Sequence, residues 1–193
     1  QSWGAFLTQF PTSNFRQEAA YKANFGTDVR IAGCLDIVAD VFYQQRRNIL
    51  VSASSLNSSV VGLQSAYDDK GAVQSYGAEL GLRFAKTYAN GFSINATGMA
   101  TYSRNEIIEW IENPVYPNLS VIGTPADAAR GLIALGFFES QEEIDGWYEQ
   151  NLGSTVRPGD IKYVDQNGDG WIDESDKVAL GNANPAIYGN IFT

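Results

Sequence analysis

Tyr21-Lys22-Ala23-Asn24-Phe25-Gly26-Thr27-Asp28-Val29-Arg30-Ile31 decides the fold. Alternate residues divide cleanly. Tyr21, Ala23, Phe25, Thr27, Val29 and Ile31 form a largely apolar set, and Lys22, Asn24, Gly26, Asp28 and Arg30 a polar or small one. A period of two is a strand signature, because successive side chains of extended backbone point to opposite sides.

The same pattern recurs along the chain. Leu35, Ile37, Ala39, Val41 and Tyr43 face away from Asp36, Val38, Asp40 and Phe42, a less clean alternation. Tyr76, Ala78, Leu80, Leu82 and Phe84 alternate with Gly77, Glu79, Gly81 and Arg83. Phe92, Ile94, Ala96, Gly98, Ala100 and Tyr102 alternate with Ser93, Asn95, Thr97, Met99 and Thr101. A fifth strand is expected from near Ala186. The links alternate in length: tight at Ala32-Gly33, long over 48–75, short at 87–91 with its Asn90-Gly91 turn signal, and very long over 105–184.

Short turns on one side and long loops on the other are the pattern of an antiparallel transmembrane β-barrel. An eleven-residue strand spans roughly 36 Å, and a tilt of ~40° projects this to about 28 Å, near the apolar thickness of a membrane. Tyr43, Tyr76, Phe84, Phe92 and Tyr102 sit at strand ends, where aromatic girdles meet the lipid–water interface. A soluble β-sandwich also alternates, though an excursion of 80 residues between neighbouring strands is unusual for one.

Composition narrows the function. The chain has 193 residues, about one domain's worth, with 18% charged residues, 12% aromatic residues, no histidine and a formal charge of −9. No basic footprint for nucleic acid exists, and His-based triads and His-ligated zinc are excluded. Cys34 is the lone cysteine, so there is no internal disulfide framework. The first residue is Gln1, the lone methionine is Met99, and neither a signal peptide nor an apolar run of membrane-helix length is present. These features are expected of a piece of a larger chain. No phosphate loop, nucleophile elbow or paired catalytic carboxylates stand out, so no enzyme activity is expected.

The charge is uneven. Between Glu139 and Asp176 lie 11 acidic and 2 basic residues. Within this window, Asp165-Gln166-Asn167-Gly168-Asp169-Gly170-Trp171-Ile172-Asp173-Glu174-Ser175-Asp176 has the spacing of an EF-hand-type calcium loop. Counting Asp165 as position 1, side-chain oxygens fall at Asp165, Asn167, Asp169, Asp173 and Asp176. Trp171 offers its carbonyl at position 7, Gly170 supplies the turn at 6, and Ile172 the apolar anchor at 8. Hard cations want about six or seven oxygens. Aspartate at position 12 is shorter than the usual glutamate, and the flanks are not helical. The alternative is a metal-free acidic turn.

Ser140-Gln141-Glu142-Glu143 resembles a capping box, from which a short helix over about 140–151 is expected. Ile144, Trp147 and Tyr148 would share its face. Trp147 and Tyr148 would then contact a ligand or partner, or simply pin the helix down.

Pro158-Gly159-Asp160-Ile161-Lys162-Tyr163, the acidic loop and Gly181-Asn182-Ala183-Asn184-Pro185 together resemble a block of the SusC/RagA family of TonB-dependent outer-membrane transporters of Bacteroidetes-type bacteria. Asn14 to Gly26, Asn48-Ile49-Leu50, Tyr67 to Leu80, Gly136-Phe137-Phe138 and Ser140 to Ile144 add to the likeness, which covers about residues 14–193. The resemblance implies an all-β fold: about five strands of a large barrel of about 22 strands. Residues 1–193 would belong to one barrel domain, with 105–184 a long extracellular loop. It also implies the bacterial outer membrane, a SusD-like surface lipoprotein as lid, TonB acting through a plug that this sequence lacks, and import of oligosaccharides or peptides. Calcium in the acidic loop would be structural. The reading from a different class is a secreted, calcium-stabilised β-sandwich used for binding or adhesion.

Overall fold

A computed structural model describes residues 16–52, 67–182 and 184–193. In chain order its elements are β1 (Ala19–Ile31), β2 (Leu35–Ser52), β3 (Tyr67–Thr87), β4 (Ser93–Glu109), β5 (Ala128–Gly131), β6 (Ala134–Phe137), α1 (Gln141–Asp145), β7 (Glu149–Gln150), β8 (Ile161–Tyr163), β9 (Trp171–Ile172), β10 (Val178–Asn182) and β11 (Ile187–Phe192). The chain divides into two compact units, Gln1–Ile111 with Asn184–Thr193, and Glu112–Ala183.

The first unit is one sheet in the order β1-β2-β3-β4-β11, antiparallel throughout. Directly opposed residues share a face, so register sorts every side chain. Phe25, Val41, Ala78, Tyr102 and Ile187 form one cross-strand row, and Thr27, Ala39, Leu80, Ala100 and Gly189 the next. Val29, Ile37, Leu82, Gly98 and Ile191 follow. The opposite face carries Gly26, Asp40, Glu79, Thr101 and Tyr188, then Arg30, Asp36, Arg83, Thr97 and Phe192. The apolar half of each strand thus becomes one continuous apolar face.

That face is exposed. Phe25 is 73%, Ile187 70% and Ile191 81% accessible. Among the described residues the buried hydrophobics are only Val51, Ala72, Ile107, Ile111, Phe138 and Ile172, and none of them lies in the three apolar rows. In a sandwich those rows would be the inner layer against a second sheet. The sandwich expectation therefore fails, and lipid is the solvent that suits the face.

The polar face explains the imperfect alternation of β2. Phe42 lies across Gly77, where a Cβ would come within 2.5 Å of the Phe42 ring and 2.2 Å of the Tyr102 carbonyl oxygen. Val38 lies beside Gly81, where an added Cβ would meet it at 3.7 Å, an ordinary contact. Arg30 donates to Asp36 across β1 and β2, with Nη2 2.9 Å from Oδ2.

Both tight links form as expected. Cys34 N–H donates to the Ile31 carbonyl at 3.1 Å, and the chain turns through Ala32 and Gly33 at φ 50° and 68°. In the second link, Gly91 takes φ 84°, Tyr88 N–H donates to the Phe92 carbonyl, and Asn90 Oδ1 accepts Phe92 N–H at 3.1 Å.

The loop bounds differ from expectation. β2 runs on to Ser52 and β3 begins at Tyr67, so pairing covers much of the segment expected as a loop over 48–75; residues 53–66 lie outside the described residues. β4 likewise continues to Glu109, past 105. Apolar alternation stops there, but the ladder continues through polar side chains. Tyr43 Oη donates to Gln74 Oε1 at 3.3 Å, and Gln74 Nε2 to Glu106 Oε2 at 3.0 Å. Bulges around Ile49 and a left-handed Asn48 (φ 58°) disguise the strand in sequence. Arg16 closes the near end, its backbone N–H and Nε both 2.8 Å from Asp69 Oδ2.

The second unit is built from short pairs: β5 with β10, β6 with β8, and β7 parallel to β9. Among its described residues the buried apolar side chains are Phe138 and Ile172. With so little apolar burial, hydrogen bonds to backbone carry much of its order, and these converge on the candidate site.

Candidate functional site

The acidic loop closes on itself through carboxylates. Gly168 and Gly170, at φ 76° and 88°, bend the chain so that their N–H groups point at Asp165, 2.7 Å from Oδ1 and 3.0 Å from Oδ2. Asn167 Oδ1 accepts Asp169 N–H at 2.9 Å, and Asp169 Oδ1 accepts Trp171 N–H at 2.9 Å. Asp173 Oδ1 accepts Ser175 N–H at 2.6 Å. Asp176 is only 1% exposed and takes three bonds: from Gln166 and Asn167 N–H on Oδ1, and from Asp173 N–H on Oδ2. Ile172, expected as the apolar anchor, is fully buried.

The six residues singled out as ligands are therefore gathered in one loop, and all five side chains act as acceptors of backbone N–H. Among the described residues, no group of three or more acidic, His or Cys side chains is arranged to hold a metal ion. Carboxylate repulsion is offset here by oriented amides. The Trp171 N–H holds the Asp169 carboxyl below the usual carboxylate range, helped by Asn167 and Tyr116. Tyr116 Oη donates to Asp169 Oδ2 at 3.2 Å, and the same contact raises the phenol's pKa.

Sequence reasoning missed the clasp beneath this loop. Arg130 donates to the carbonyls of Asn118 (2.7 Å) and Ser120 (3.1 Å). Asn118 Nδ2 in turn donates to the carbonyls of Ser175 (2.7 Å) and Lys177 (3.2 Å). Every acceptor is a backbone carbonyl, which no side-chain motif announces.

The expected helix is shorter than 140–151. Ser140 caps it as foreseen, its Oγ accepting Glu143 N–H at 3.3 Å. The return bond goes one residue further back, to Glu139 N–H at 2.9 Å. Gly146 ends the helix after Asp145, so Trp147 and Tyr148 follow it and do not share a helical face with Ile144. Trp147 is pinned: Nε1 donates to the Tyr163 carbonyl at 3.2 Å, and Lys162 Nζ sits 3.8 Å from the ring centroid. Lys162 also pairs with Glu143 at 2.7 Å. The Glu139 N–H, and then Lys162, keep the Glu143 carboxyl below its ordinary range. Tyr148 stands edge-on to Trp147 with centroids 5.2 Å apart, and it is 47% exposed. Both rings line an open cavity of about 700 Å³.

Charge separates with the architecture. The unit Glu112–Ala183 carries 13 acidic and 4 basic residues, a net of −9, and the sheet unit carries 9 of each.

The strand register, the exposed apolar face and the tight turns define an outer-membrane β-barrel segment. No family model matches the chain. It is 27% identical over 160 residues to the TonB-dependent receptor P26 of Formosa agariphila, a match covering 77% of this chain and 16% of that receptor. Two solved structures of the RagAB peptide transporter share its fold. One, of the importer in its closed-closed state, superposes with a TM-score of 0.58 at 14% identity. The other gives 0.59 at 17%, and each covers 90% of this chain and 19% of that one. The chain is thus similar to part of a TonB-dependent receptor, and it has the all-β, antiparallel fold of a stretch of the RagAB transporter, in line with the resemblance carried by the sequence block from Pro158 to Pro185.

Proposed function

We propose that this segment belongs to an importer of oligosaccharides or peptides. A SusD-like lipoprotein lids its outer mouth, and TonB drives it through a plug carried elsewhere in the receptor. In this reading the turns at 32–34 and 88–92 face the periplasm, and the unit Glu112–Ala183 faces the medium, where it meets substrate or lid. The observation that carries the proposal is the single exposed apolar face, which suits lipid, backed by a polar face that suits a wet lumen. The relatives matched are a receptor and a transporter.

The test uses the full-length receptor in cells. A single cysteine at Ser154, in a Cys34→Ser background, is expected to react with a membrane-impermeant maleimide on intact cells, and substrate uptake is expected to cease without TonB. Labelling only after the outer membrane is opened would overturn the orientation.

Calcium has a subordinate place in this proposal. Asp165, Asn167, Asp169 and Asp173 with the Trp171 carbonyl supply oxygens, and Gly170 N–H on Asp165 is the turn such a loop needs. Asp176 adds no two-oxygen arm, because three amides already occupy its carboxylate. A calcium titration is therefore expected to slow proteolysis of the 165–176 loop only modestly. No change with EDTA or calcium would remove the metal altogether.

A further inference from the structure

The cavity beside α1 has a chemistry that general substrate recruitment leaves unused. Ile144, Trp147 and Tyr148 give it an apolar and aromatic wall, Asp145 and Glu149 contribute two carboxylates, and Asn151 an amide. Among the described residues no lysine or arginine lines it. At about 700 Å³ it is of ligand size. One face of Trp147 already receives a cation from the chain itself, the Lys162 ammonium, while Tyr148 presents an exposed ring. The surrounding unit carries the whole −9 of the protein.

These features favour one ligand chemistry. A neutral sugar would stack on Tyr148 and donate hydroxyls to the two carboxylates, but it would leave their charge uncompensated. An anion would be repelled. A cation gains from the exposed Tyr148 ring, from the carboxylates, whose charge it neutralises, and from the field of the whole unit.

We propose that this cavity is a subsite for a positively charged group of a peptide substrate, a lysine or arginine side chain or a free α-amino group. The inference rests on the transport reading and narrows it from oligosaccharides or peptides to peptides bearing positive charge.

Binding to the full-length receptor with its lipoprotein partner, purified in detergent, tests it by calorimetry. The probes are three Gly/Ser-based decapeptides carrying three lysines, three glutamates or no charge, with maltoheptaose as the neutral sugar. The tri-lysine peptide is expected to bind tightest and to lose its advantage as salt rises. The double variant Asp145→Asn, Glu149→Gln is expected to weaken tri-lysine binding by about three- to fivefold per carboxylate, with the neutral peptide unchanged. Tyr148→Ala is expected to weaken it further, and unaltered heat stability of each variant shows that the fold survives. A tri-lysine affinity unchanged in the double variant, an equal loss for all peptides, or maltoheptaose binding at this cavity in place of the tri-lysine peptide would each overturn the inference. Uptake by the unaltered receptor keeps the two claims apart. Import of peptide or sugar with an indifferent cavity leaves the transport reading standing, whereas import of neither sinks that reading itself.

Discussion

Replacing Leu80 by arginine puts the lipid assignment under direct load. Leu80 lies on the apolar face, in a row with Thr27, Ala39, Ala100 and Gly189. It is midway between Tyr76 and Phe84, the aromatic ends of the apolar stretch of β3. Eight residues at ~3.4 Å, tilted by ~40°, place those ends about 21 Å apart along the membrane normal. Leu80 then sits about 10 Å from either interface, near the bilayer midplane, where an outward arginine costs ~2–4 kcal/mol. Asn190 provides the control. It neighbours Gly189 of the same row, so its depth is nearly equal, but it shares the polar face with Met99, Gly81 and Asp28. Asn190→Arg should cost under ~1 kcal/mol, as surface substitutions do. The difference of ~2–3 kcal/mol corresponds to about 30- to 150-fold in the folding equilibrium. Urea titration of the full-length receptor in lipid vesicles, followed by the gel mobility of folded barrel, measures it. Equal costs for the two variants, or a greater cost for Asn190→Arg, would refute the assignment of faces.

Two further outcomes concern the Glu112–Ala183 unit. Asp176→Ala strips three backbone N–H groups of their acceptor in a buried place, a loss of at least about 3 kcal/mol at ~1–3 kcal/mol for each orphaned donor. Limited proteolysis of the full receptor should then cut within 165–176 where the parent resists. Acid should loosen the same unit, because the Glu143 and Asp169 carboxyls are both held below their ordinary range. Their stabilisation is complete above the unfolded values near ~4 and is lost as pH falls through the lower folded values. Amide exchange at Gln141–Asp145, corrected for intrinsic rates, is expected to be flat from pH 6 to about 4.5 and to rise below about 4; a rise already at neutral pH would contradict this.

The alternation in Tyr21–Ile31 and Tyr76–Phe84 was legible because lipid on one face and water on the other impose a strict period of two. Where β2 and β3 leave that band, both faces are wet and composition stops reporting structure. Tyr67-Asp68-Asp69-Lys70-Gly71 therefore reads as loop, although Tyr67, Asp68 and Gly71 pair with Ser52, Val51 and Ile49. The Ser140 cap was legible as local chemistry. The claim of Lys162 on Trp147 joins residues 15 positions apart and left no periodic trace. In the acidic loop the spacing revealed the turn, but not that its carboxylates are met by amides, since backbone donors carry no sequence signature.

Spin-label scanning of β2 in the full-length receptor, reconstituted in bilayers with Cys34→Ser, bears most directly on which face meets lipid. Labels at Ile37, Ala39 and Val41 should be readily relaxed by oxygen and little by a water-soluble nickel chelate, and labels at Val38, Asp40 and Phe42 should not share the oxygen accessibility. A profile without this two-residue alternation, or with 37, 39 and 41 shielded from both reagents by packed protein, would contradict the barrel.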